Sequence, residues 1–118
     1  MKEKNLINEF QEYRSKMNEK ILQSNNKIMK RIYGADTLAY QKGALPIKTK
    51  EMLGLVSSMV LRCDDCIKYH LEKCFEQGTT TEELFEIFGI ANLVGGTIVI
   101  PHTRRAVEYW EALTSSKK

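Results

Sequence analysis

Residues Arg62 to Cys74 contain all three cysteines of the chain and one of its two histidines. The thiolate form of a cysteine, rather than the thiol, is the species that attacks peroxides, disulfides and metal ions. If this segment is helical, Cys66 and His70 lie one turn apart on the same side of the helix, so that the imidazole can accept the thiol proton. His70 is therefore the candidate base for a cysteine nucleophile.

The spacing of Cys63 and Cys66 also meets the geometric condition for a disulfide. Residues three apart in a helix have Cα atoms about 5 Å apart, within the range of roughly 4.4 to 6.8 Å found in disulfides. The pair can therefore open and close a bond without unfolding the helix. Cys74 lies about 12 Å beyond Cys66 along a straight helix, so we expect it to be only a small buried side chain.

The pattern C-x2-C-x3-H-x3-C also resembles a zinc knuckle with four ligands. Zinc needs its donor atoms about 2.0 to 2.3 Å from one point, and ligands spread over about 16 Å of helix cannot converge there. The segment from Val56 to Gln77 has no glycine or proline that would allow a looped knuckle. We therefore expect no metal ion at this site.

Length and charge limit the classes of protein that this chain can belong to. We interpret the 118 residues as a single domain, residues 1–118, small enough that association with further copies would add to its stability. Charged residues make up 28% of the chain, with a net charge of +3 and both signs interspersed. This balance argues against a dedicated nucleic-acid or membrane surface.

The number of cysteines and the beginning of the chain bear on its compartment. Residues Met1 to Asn5 are polar, and no apolar stretch of a secretory signal follows them. We therefore expect a cytoplasmic location. Structural disulfides are rare in a reducing compartment, so the three cysteines indicate a reactive or regulatory pair rather than a disulfide framework.

The first third of the chain has the spacing of an amphipathic helix, or of two helices nearly in line. The apolar stripe consists of Leu6, Phe10, Tyr13, Met17, Ile21, Ile28 and Ile32. Gly34 is a predicted helix stop because it follows the basic pair Lys30–Arg31. A short helical segment over Asp36–Gln41 and a connector over residues 42–46 are expected next.

A second main helix is predicted from Thr49, as its N-cap, towards the cysteines. Its apolar face consists of Met52, Leu53, Val56, Met59 and Val60. We expect a break near Arg62, because Asp64 and Asp65 suit the first turn of a new helix. Cys63 would then lie at a helix N-terminus, where the pKa of a thiol is lowered.

After the cysteines, Gly78 is expected to end the helix, and Thr80 with Glu83 forms a predicted capping box. The apolar run over residues 84–100 is too short and interrupted to span a membrane, so we expect part of it to meet another subunit. Pro101 either starts or kinks a last helix. Its apolar face consists of Ala106, Tyr109, Trp110 and Leu113. No sustained strand alternation occurs, which predicts an all-α fold of five to seven helices.

One composite pattern matches a known family. Glu51, Cys63, Cys66 and His70 spell E-x11-C-x2-C-x3-H, which resembles the signature of the alkylhydroperoxidase D-like branch of the carboxymuconolactone decarboxylase family. The resemblance extends from about Tyr33 to Leu113. Further points of similarity are the segment over residues 45–51, the turn at residues 78–80 and the Gly95–Gly96 pair before the final helix.

This resemblance implies an all-helical subunit that assembles as a homo-trimer or homo-hexamer, with its redox site near a subunit interface. It implies that Cys66 is the peroxidatic thiol, Cys63 the resolving thiol, His70 the base and Glu51 the group that orients His70. The expected partners are a hydroperoxide or disulfide substrate and an external dithiol reductant. No bound organic cofactor and no nucleic acid are expected.

The sequence gives conflicting indications of which cysteine is the nucleophile. A helix N-terminus favours Cys63, whereas the turn shared with His70 favours Cys66, as does the resemblance. Asp65 stands where the family often has histidine, and a carboxylate beside two thiols disfavours their ionisation. This departure predicts weak peroxidase activity or a disulfide substrate. His102 follows Pro101 without a motif, and we expect it on the surface or at an interface.

The leading functional hypothesis is a thiol peroxidase or disulfide oxidoreductase in antioxidant defence. One alternative is a decarboxylase-type lyase acting on a muconolactone, which would not need the cysteine pair. A second alternative is a redox-sensing oligomer without enzymatic activity, which would form the disulfide without turnover.

Overall fold

The structure is a computed structural model that describes the backbone of residues 2–116 and the side chains of residues 5–115. Over residues 2–116 it contains six α-helices, one 3-10 turn and no β-strand, so the prediction of an all-α fold is confirmed. The helices are α1 Lys2–Gln23, α2 Lys27–Ala39, α3 Ile47–Val60, α4 Asp64–Glu76, α5 Thr81–Gly95 and α6 Ile100–Ser116, with the 3-10 turn at Thr97–Val99.

The first two helices are not nearly in line, so that prediction is wrong. Asn25 adopts a left-handed conformation with φ of 59° and reverses the chain, and the Asn26 side chain then caps α2 by accepting the Met29 N–H. Tyr33 donates a hydrogen bond of 2.9 Å to Asn18. Helices in line would separate these two residues by about 22 Å. α2 therefore folds back beside α1.

Gly34 does not stop a helix, because α2 continues through it to Ala39. The segment predicted over Asp36–Gln41 is mostly the end of this same helix. A single glycine in an exposed helix costs only about 1 kcal/mol, which the rest of the helix tolerates. None of the α2 residues is buried, and its side chains Ile28, Ile32 and Leu38 are exposed.

The third helix begins two residues earlier than Thr49, which is therefore not its N-cap. Pro46 holds that position in an extended conformation, and its carbonyl accepts the Lys50 N–H. Proline is compatible with the start of a helix because the first helical N–H groups have no partner within the helix.

The core lies between α3, α4, α5 and α6, with α1 packed against α6. The helices surround fully buried side chains, among them Leu55, Met59, Ile67, Leu71, Leu84 and Tyr109. The predicted apolar face of the last helix is confirmed, since its four residues are all buried. Pro101 lies in the first turn of α6 and so starts this helix rather than kinking it.

The boundaries of the cysteine helix agree with the prediction. α3 ends at Val60, Arg62 adopts a left-handed conformation with φ of 61°, and α4 begins at Asp64. Gly78, with φ of 82°, follows the end of α4. The capping box of Thr80 and Glu83 is present in both directions.

The apolar run over residues 84–100 is buried only on one side. Leu84, Ile87, Phe88 and Ala91 face the core, and the exposed apolar side chains of the run are Phe85, Ile90, Leu93, Val94, Ile98 and Ile100. No helix in the described part of the chain, residues 2–116, has the length and apolar character needed to cross a membrane.

Candidate redox site

Cys63 lies at the N-terminus of α4, as predicted. It is the N-cap residue of this helix, and its sulfur accepts the backbone N–H of Cys66 at 3.2 Å. The unpaired N–H groups of the first turn give this end of the helix a partial positive charge. That charge stabilises a thiolate at Cys63 in the reduced protein.

Cys63 and Cys66 form a disulfide, with Cα atoms 5.3 Å apart. The helix begins at Asp64 with this bond closed, in agreement with the prediction that the pair forms a disulfide without unfolding the helix. Cys66 is exposed, whereas Cys63 is partly buried. An external substrate therefore reaches Cys66 more easily than Cys63.

Cys74 is separate from this pair and is a free cysteine with 0% of its surface exposed. It belongs to the hydrophobic core, as the sequence predicted. Burial raises the pKa of its thiol to about 12. In the folded protein this thiol is thus neutral and unreactive at neutral pH.

Glu51 of α3 and His70 of α4 form a buried pair, with 4% and 8% of their surfaces exposed. The distance from His70 Nδ1 to Glu51 Oε1 is 2.8 Å. An ionised carboxylate only accepts hydrogen bonds, so Nδ1 carries the proton and donates it to Glu51. The lone pair of a neutral His70 therefore lies on Nε2, which makes Nε2 the basic atom.

Tyr40, at the end of α2, contacts this basic atom, and the sequence analysis missed it. Its hydroxyl lies 3.4 Å from His70 Nε2. Burial, followed by the nearby charge of Glu51, raises the pKa of Tyr40, so that the hydroxyl keeps its proton and can donate it to Nε2. No local pattern distinguishes Tyr40, because it lies 30 positions before His70 and only the folded chain brings the two side chains together.

Gly54 leaves the space in which Tyr40 and His70 meet. A Cβ atom at this position would lie 2.5 Å from the Tyr40 hydroxyl and 2.7 Å from His70 Cε1. Real Cβ atoms do not approach other atoms so closely, so a larger residue would displace one of the two side chains. The sequence offers a weak signal for this role, since Gly54 lies three residues after Glu51 on the same face of α3.

A cavity of about 340 Å³ lies between α1 and α4 and is lined by both Cys66 and His70. The other lining residues are Phe10, Tyr13, Arg14, Met17, Asn18, Asp36, Asp65 and Tyr69. The His70 nitrogens contact Glu51 and Tyr40 rather than a sulfur atom. A water molecule or a substrate in the cavity could therefore bridge Cys66 and His70.

His102 lies closer to the cysteines than expected, since only 17% of its side chain is exposed. Its Nδ1 is 2.8 Å from Oδ1 of Asp64, the residue that follows Cys63. Arg105 contacts the other oxygen of Asp64, with Nε 2.9 Å from Oδ2. His102 is thus partly exposed and paired with a residue at the start of α4, and its expected place at an interface remains a prediction.

The described residues contain no group of three or more His, Cys, Asp and Glu side chains arranged to hold a metal ion. The zinc alternative would require Cys74 to join Cys63 and Cys66. Cys74 instead packs in the core among apolar side chains.

The fold and the site together define a class of protein. Its members are all-helical domains with a cysteine pair at a helix N-terminus and a buried carboxylate–histidine pair nearby. The chain belongs to the carboxymuconolactone decarboxylase family, whose family model matches residues 26–109. Its motif is consistent with the alkylhydroperoxidase D-like branch, so the resemblance seen in the sequence is confirmed. Helix α1 precedes the matched range.

Solved structures of this family have the same fold. The TM1620 protein of Thermotoga maritima superposes with a TM-score of 0.90 at 50% identity, over 92% of this chain and 96% of that one. A second crystal structure of TM1620, for which an antioxidative role has been suggested, gives a TM-score of 0.89 at 49% identity over 92% of each chain.

Two further relatives are more distant. The family member lpg0406 of Legionella pneumophila shares the fold, with a TM-score of 0.82 at 24% identity over 91% of this chain and 96% of that one. An uncharacterized protein of Cupriavidus necator is 29% identical over 87 residues, which are 74% of this chain and 77% of the relative.

Proposed function

We propose that this protein is a thiol-dependent peroxidase or disulfide oxidoreductase that reduces organic hydroperoxides through Cys63 and Cys66. The observation that carries the proposal is the disulfide between these residues at the start of α4, with the exposed Cys66 in the same cavity as His70. Membership of the family supports it, as does the antioxidative role suggested for the Thermotoga maritima relative.

In the proposed cycle, the Cys66 thiolate attacks the terminal oxygen of the hydroperoxide. The O–O bond breaks, an alcohol leaves with a proton, and Cys66 becomes a sulfenic acid. The Cys63 thiol then attacks the Cys66 sulfur, which releases water and forms the disulfide. An external dithiol reduces this disulfide by thiol exchange and is itself oxidised. The net reaction converts a hydroperoxide and a dithiol to an alcohol, water and a disulfide.

The Glu51 and His70 pair supplies the proton transfers of this cycle. Because Glu51 holds the proton of His70 on Nδ1, Nε2 is the basic nitrogen, and it takes the thiol proton of Cys66 through a bridging molecule that replaces its long contact with the Tyr40 hydroxyl. The protonated imidazole can later return this proton to the departing alcohol. Glu51 stabilises the charged imidazole, since a buried cation needs a compensating charge.

Cys66 rather than Cys63 is the nucleophile in this proposal. The helix N-terminus lowers the thiol pKa of either cysteine, because both lie at the start of α4. Only Cys66 lines the cavity with His70, and it is the more exposed of the two. Access to the substrate therefore separates two thiols that both lie at the start of the same helix.

The proposal includes a homo-trimer or homo-hexamer in a cytoplasmic, reducing compartment. Apolar side chains exposed on one face of α5 and in the turn that follows support association, because a patch of this kind is unusual on a monomer. A reducing compartment agrees with recycling by an external dithiol.

The first test counts thiols by intact mass after alkylation in denaturant. Reduced protein has three alkylatable cysteines, and one equivalent of cumene hydroperoxide should leave only Cys74 alkylatable. Cys66→Ser should react far more slowly, whereas Cys63→Ser should react at a similar rate and stop at a sulfenic acid. Equal, slow reaction of the wild type and Cys66→Ser would contradict the proposal.

A second measurement follows peroxide consumption with excess dithiol. Turnover that depends on Cys66 supports an enzyme. Disulfide formation without turnover would favour the redox-sensing alternative.

A further inference from the structure

Cys63 is followed by two carboxylates, Asp64 and Asp65, which occupy different environments. Asp65 is exposed and lines the cavity beside Cys66. Asp64 instead points towards α6, where it contacts His102 and Arg105. A negative charge beside a thiolate raises the free energy of the thiolate, so the two carboxylates work against the reactivity of the pair.

Both oxygens of Asp64 are held by donors from α6. His102 Nδ1 donates to Oδ1 at 2.8 Å, and Arg105 Nε donates to Oδ2 at 2.9 Å. His102 and Arg105 lie three residues apart and so project from the same face of α6. The two donors fix the direction of the carboxylate and place a positive charge beside it.

We propose that His102 and Arg105 are positioning residues for the cysteine pair, which hold and neutralise Asp64 so that Cys63 can ionise. With Asp64 engaged on α6, its charge is offset and the helix N-terminus remains available to the Cys63 sulfur. Without these donors, Asp64 would be an uncompensated anion next to Cys63. The reduced form of the pair would then be less stable.

The electrostatic state of Asp64 agrees with this role. Partial burial by itself raises the pKa of Asp64, but the hydrogen bond from His102 and the charge of Arg105 outweigh it and hold the pKa below its ordinary value. Asp64 is therefore ionised at neutral pH, and its charge needs compensation. The other charged residues within two positions of Cys63 in the chain are Arg62 and Asp65.

The proposal predicts how the two donors affect the reduction potential of the Cys63–Cys66 disulfide. A disulfide whose thiolates are stabilised is a stronger oxidant, because its reduced form is favoured. Loss of the Arg105 donor should raise the thiol pKa of Cys63 and shift the equilibrium towards the disulfide. We expect a change of about tenfold in the equilibrium constant with glutathione, which corresponds to a potential about 30 mV more negative.

The test is a redox titration of the full-length protein in glutathione buffers, read by alkylation and mass. Arg105→Gln is the main variant, since this side chain is half exposed, and His102→Gln is the second. Arg104→Gln is the matched control, because it removes the same charge from the neighbouring, exposed position. Arg105→Gln should shift the equilibrium about tenfold, and Arg104→Gln much less.

A double variant separates positioning from a general effect of charge. In an Asp64→Asn background, Arg105→Gln should change the equilibrium no more than Arg104→Gln does. An equal shift with and without the Asp64 charge, or no shift in either background, would overturn the proposal. The thiolate absorbance at 240 nm gives the thiol pKa of each variant as a readout that a purely structural role would not move.

This inference rests on redox use of the pair but can fail independently of peroxidase activity. The titration measures the disulfide equilibrium without any hydroperoxide. If Cys66→Ser reacts with peroxide like the wild type while Arg105→Gln still shifts the equilibrium, the proposed function fails and the positioning role stands. If Cys66→Ser reacts slowly with peroxide while Arg105→Gln leaves the disulfide equilibrium unchanged, only the positioning role fails.

Discussion

His70 donates its Nδ1 proton to Glu51 across 2.8 Å, and this contact determines which imidazole nitrogen is basic. It joins two helices, α3 and α4, that pack against each other through the core. The carboxylate and the imidazole are both buried, so water competes little for their hydrogen bond.

Replacing Glu51 with Gln tests the role of the charge. The glutamine oxygen can still accept the Nδ1 proton, so the geometry is kept while the charge that stabilises the imidazolium is lost. We expect oxidation of Cys66 by peroxide to slow about a hundredfold, within the usual contribution of a positioned base. Stopped-flow measurement on reduced protein gives this rate. Glu86→Gln, at an exposed position of α5, is the control and should keep the wild-type rate. A rate for Glu51→Gln equal to that of this control would contradict the proton relay.

Gly54→Ala should disturb the same site from the other side. The added Cβ atom meets Tyr40 and His70 at less than 3 Å, so one of them must move. We expect a loss of about 1 to 3 kcal/mol in the free energy of unfolding, as for overpacking of a core, together with slower oxidation of Cys66. Denaturant unfolding measures the first effect.

Gly89→Ala provides the comparison for this substitution. Gly89 is helical and exposed in α5, with no atom within 4 Å of an added Cβ. The Gly89→Ala substitution should stabilise the protein by up to about 1 kcal/mol, because alanine has a higher helix propensity than glycine. If the two variants behave alike, Gly54 has no special role in the site.

Native alkylation should distinguish Cys74 from the other cysteines. Burial raises its pKa to about 12, so below that pH almost no thiolate forms in the folded state. Iodoacetamide at pH 8 should therefore modify Cys63 and Cys66 in the reduced native protein, and Cys74 only after denaturation. Mass spectrometry of peptides gives the order of modification. Rapid modification of Cys74 under native conditions would show that this part of the core opens.

Stability should fall in acid through two carboxylates whose pKa is lowered on folding. The pKa of Asp64 lies below its ordinary value of 3.8. Partial burial raises this pKa, but the contacts with His102 and Arg105 lower it by more. The pKa of Glu83 lies below its ordinary value of 4.5, chiefly because its side chain accepts the backbone N–H of Thr80 and then because of Lys48. A lowered folded-state pKa stabilises the protein above the unfolded value, and this stabilisation is lost as the pH falls through the folded value.

Urea unfolding at pH 7 and at about pH 3 checks this pH dependence. Asp64→Asn and Glu83→Gln should each lose less stability between the two pH values than the wild type does. Glu82→Gln, in the same exposed first turn of α5, should behave like the wild type. Identical losses in all four proteins would show that neither carboxylate contributes.

Local sequence signals predicted the parts of the fold that local physics determines. The start of α4 follows from Asp64 and Asp65 in its first turn, and the start of α5 from the capping box of Thr80 and Glu83. The motif predicted that Glu51 lies beside His70, and these side chains are in contact, whereas the His70 nitrogens contact Glu51 and Tyr40 rather than Cys66. Glu51 and His70 lie on α3 and α4, which follow each other in the chain, so the motif alone could indicate that they lie close together.

The remaining features depend on tertiary packing, which no short window of sequence contains. Tyr40 and His70 are 30 positions apart in the chain, and their contact follows no local pattern. The chain reversal at Asn25 has a left-handed conformation that is more usual for glycine, so the sequence did not mark it. The contact of His102 with Asp64 joins residues separated by 38 positions in the chain. Contacts of this kind are decided by how helices pack.

The cavity that reaches Cys66 is assembled from separate parts of the chain, since α1, α2 and α4 all contribute to its lining. Its reactive wall on α4 belongs to the segment that matches the family, whereas its opposite wall on α1 lies before that segment. Substitutions in α1 can therefore change which molecules are admitted while the thiol and its base stay as they are. Selectivity and reactivity are in this way carried by different helices, so substitutions can change one of them without the other.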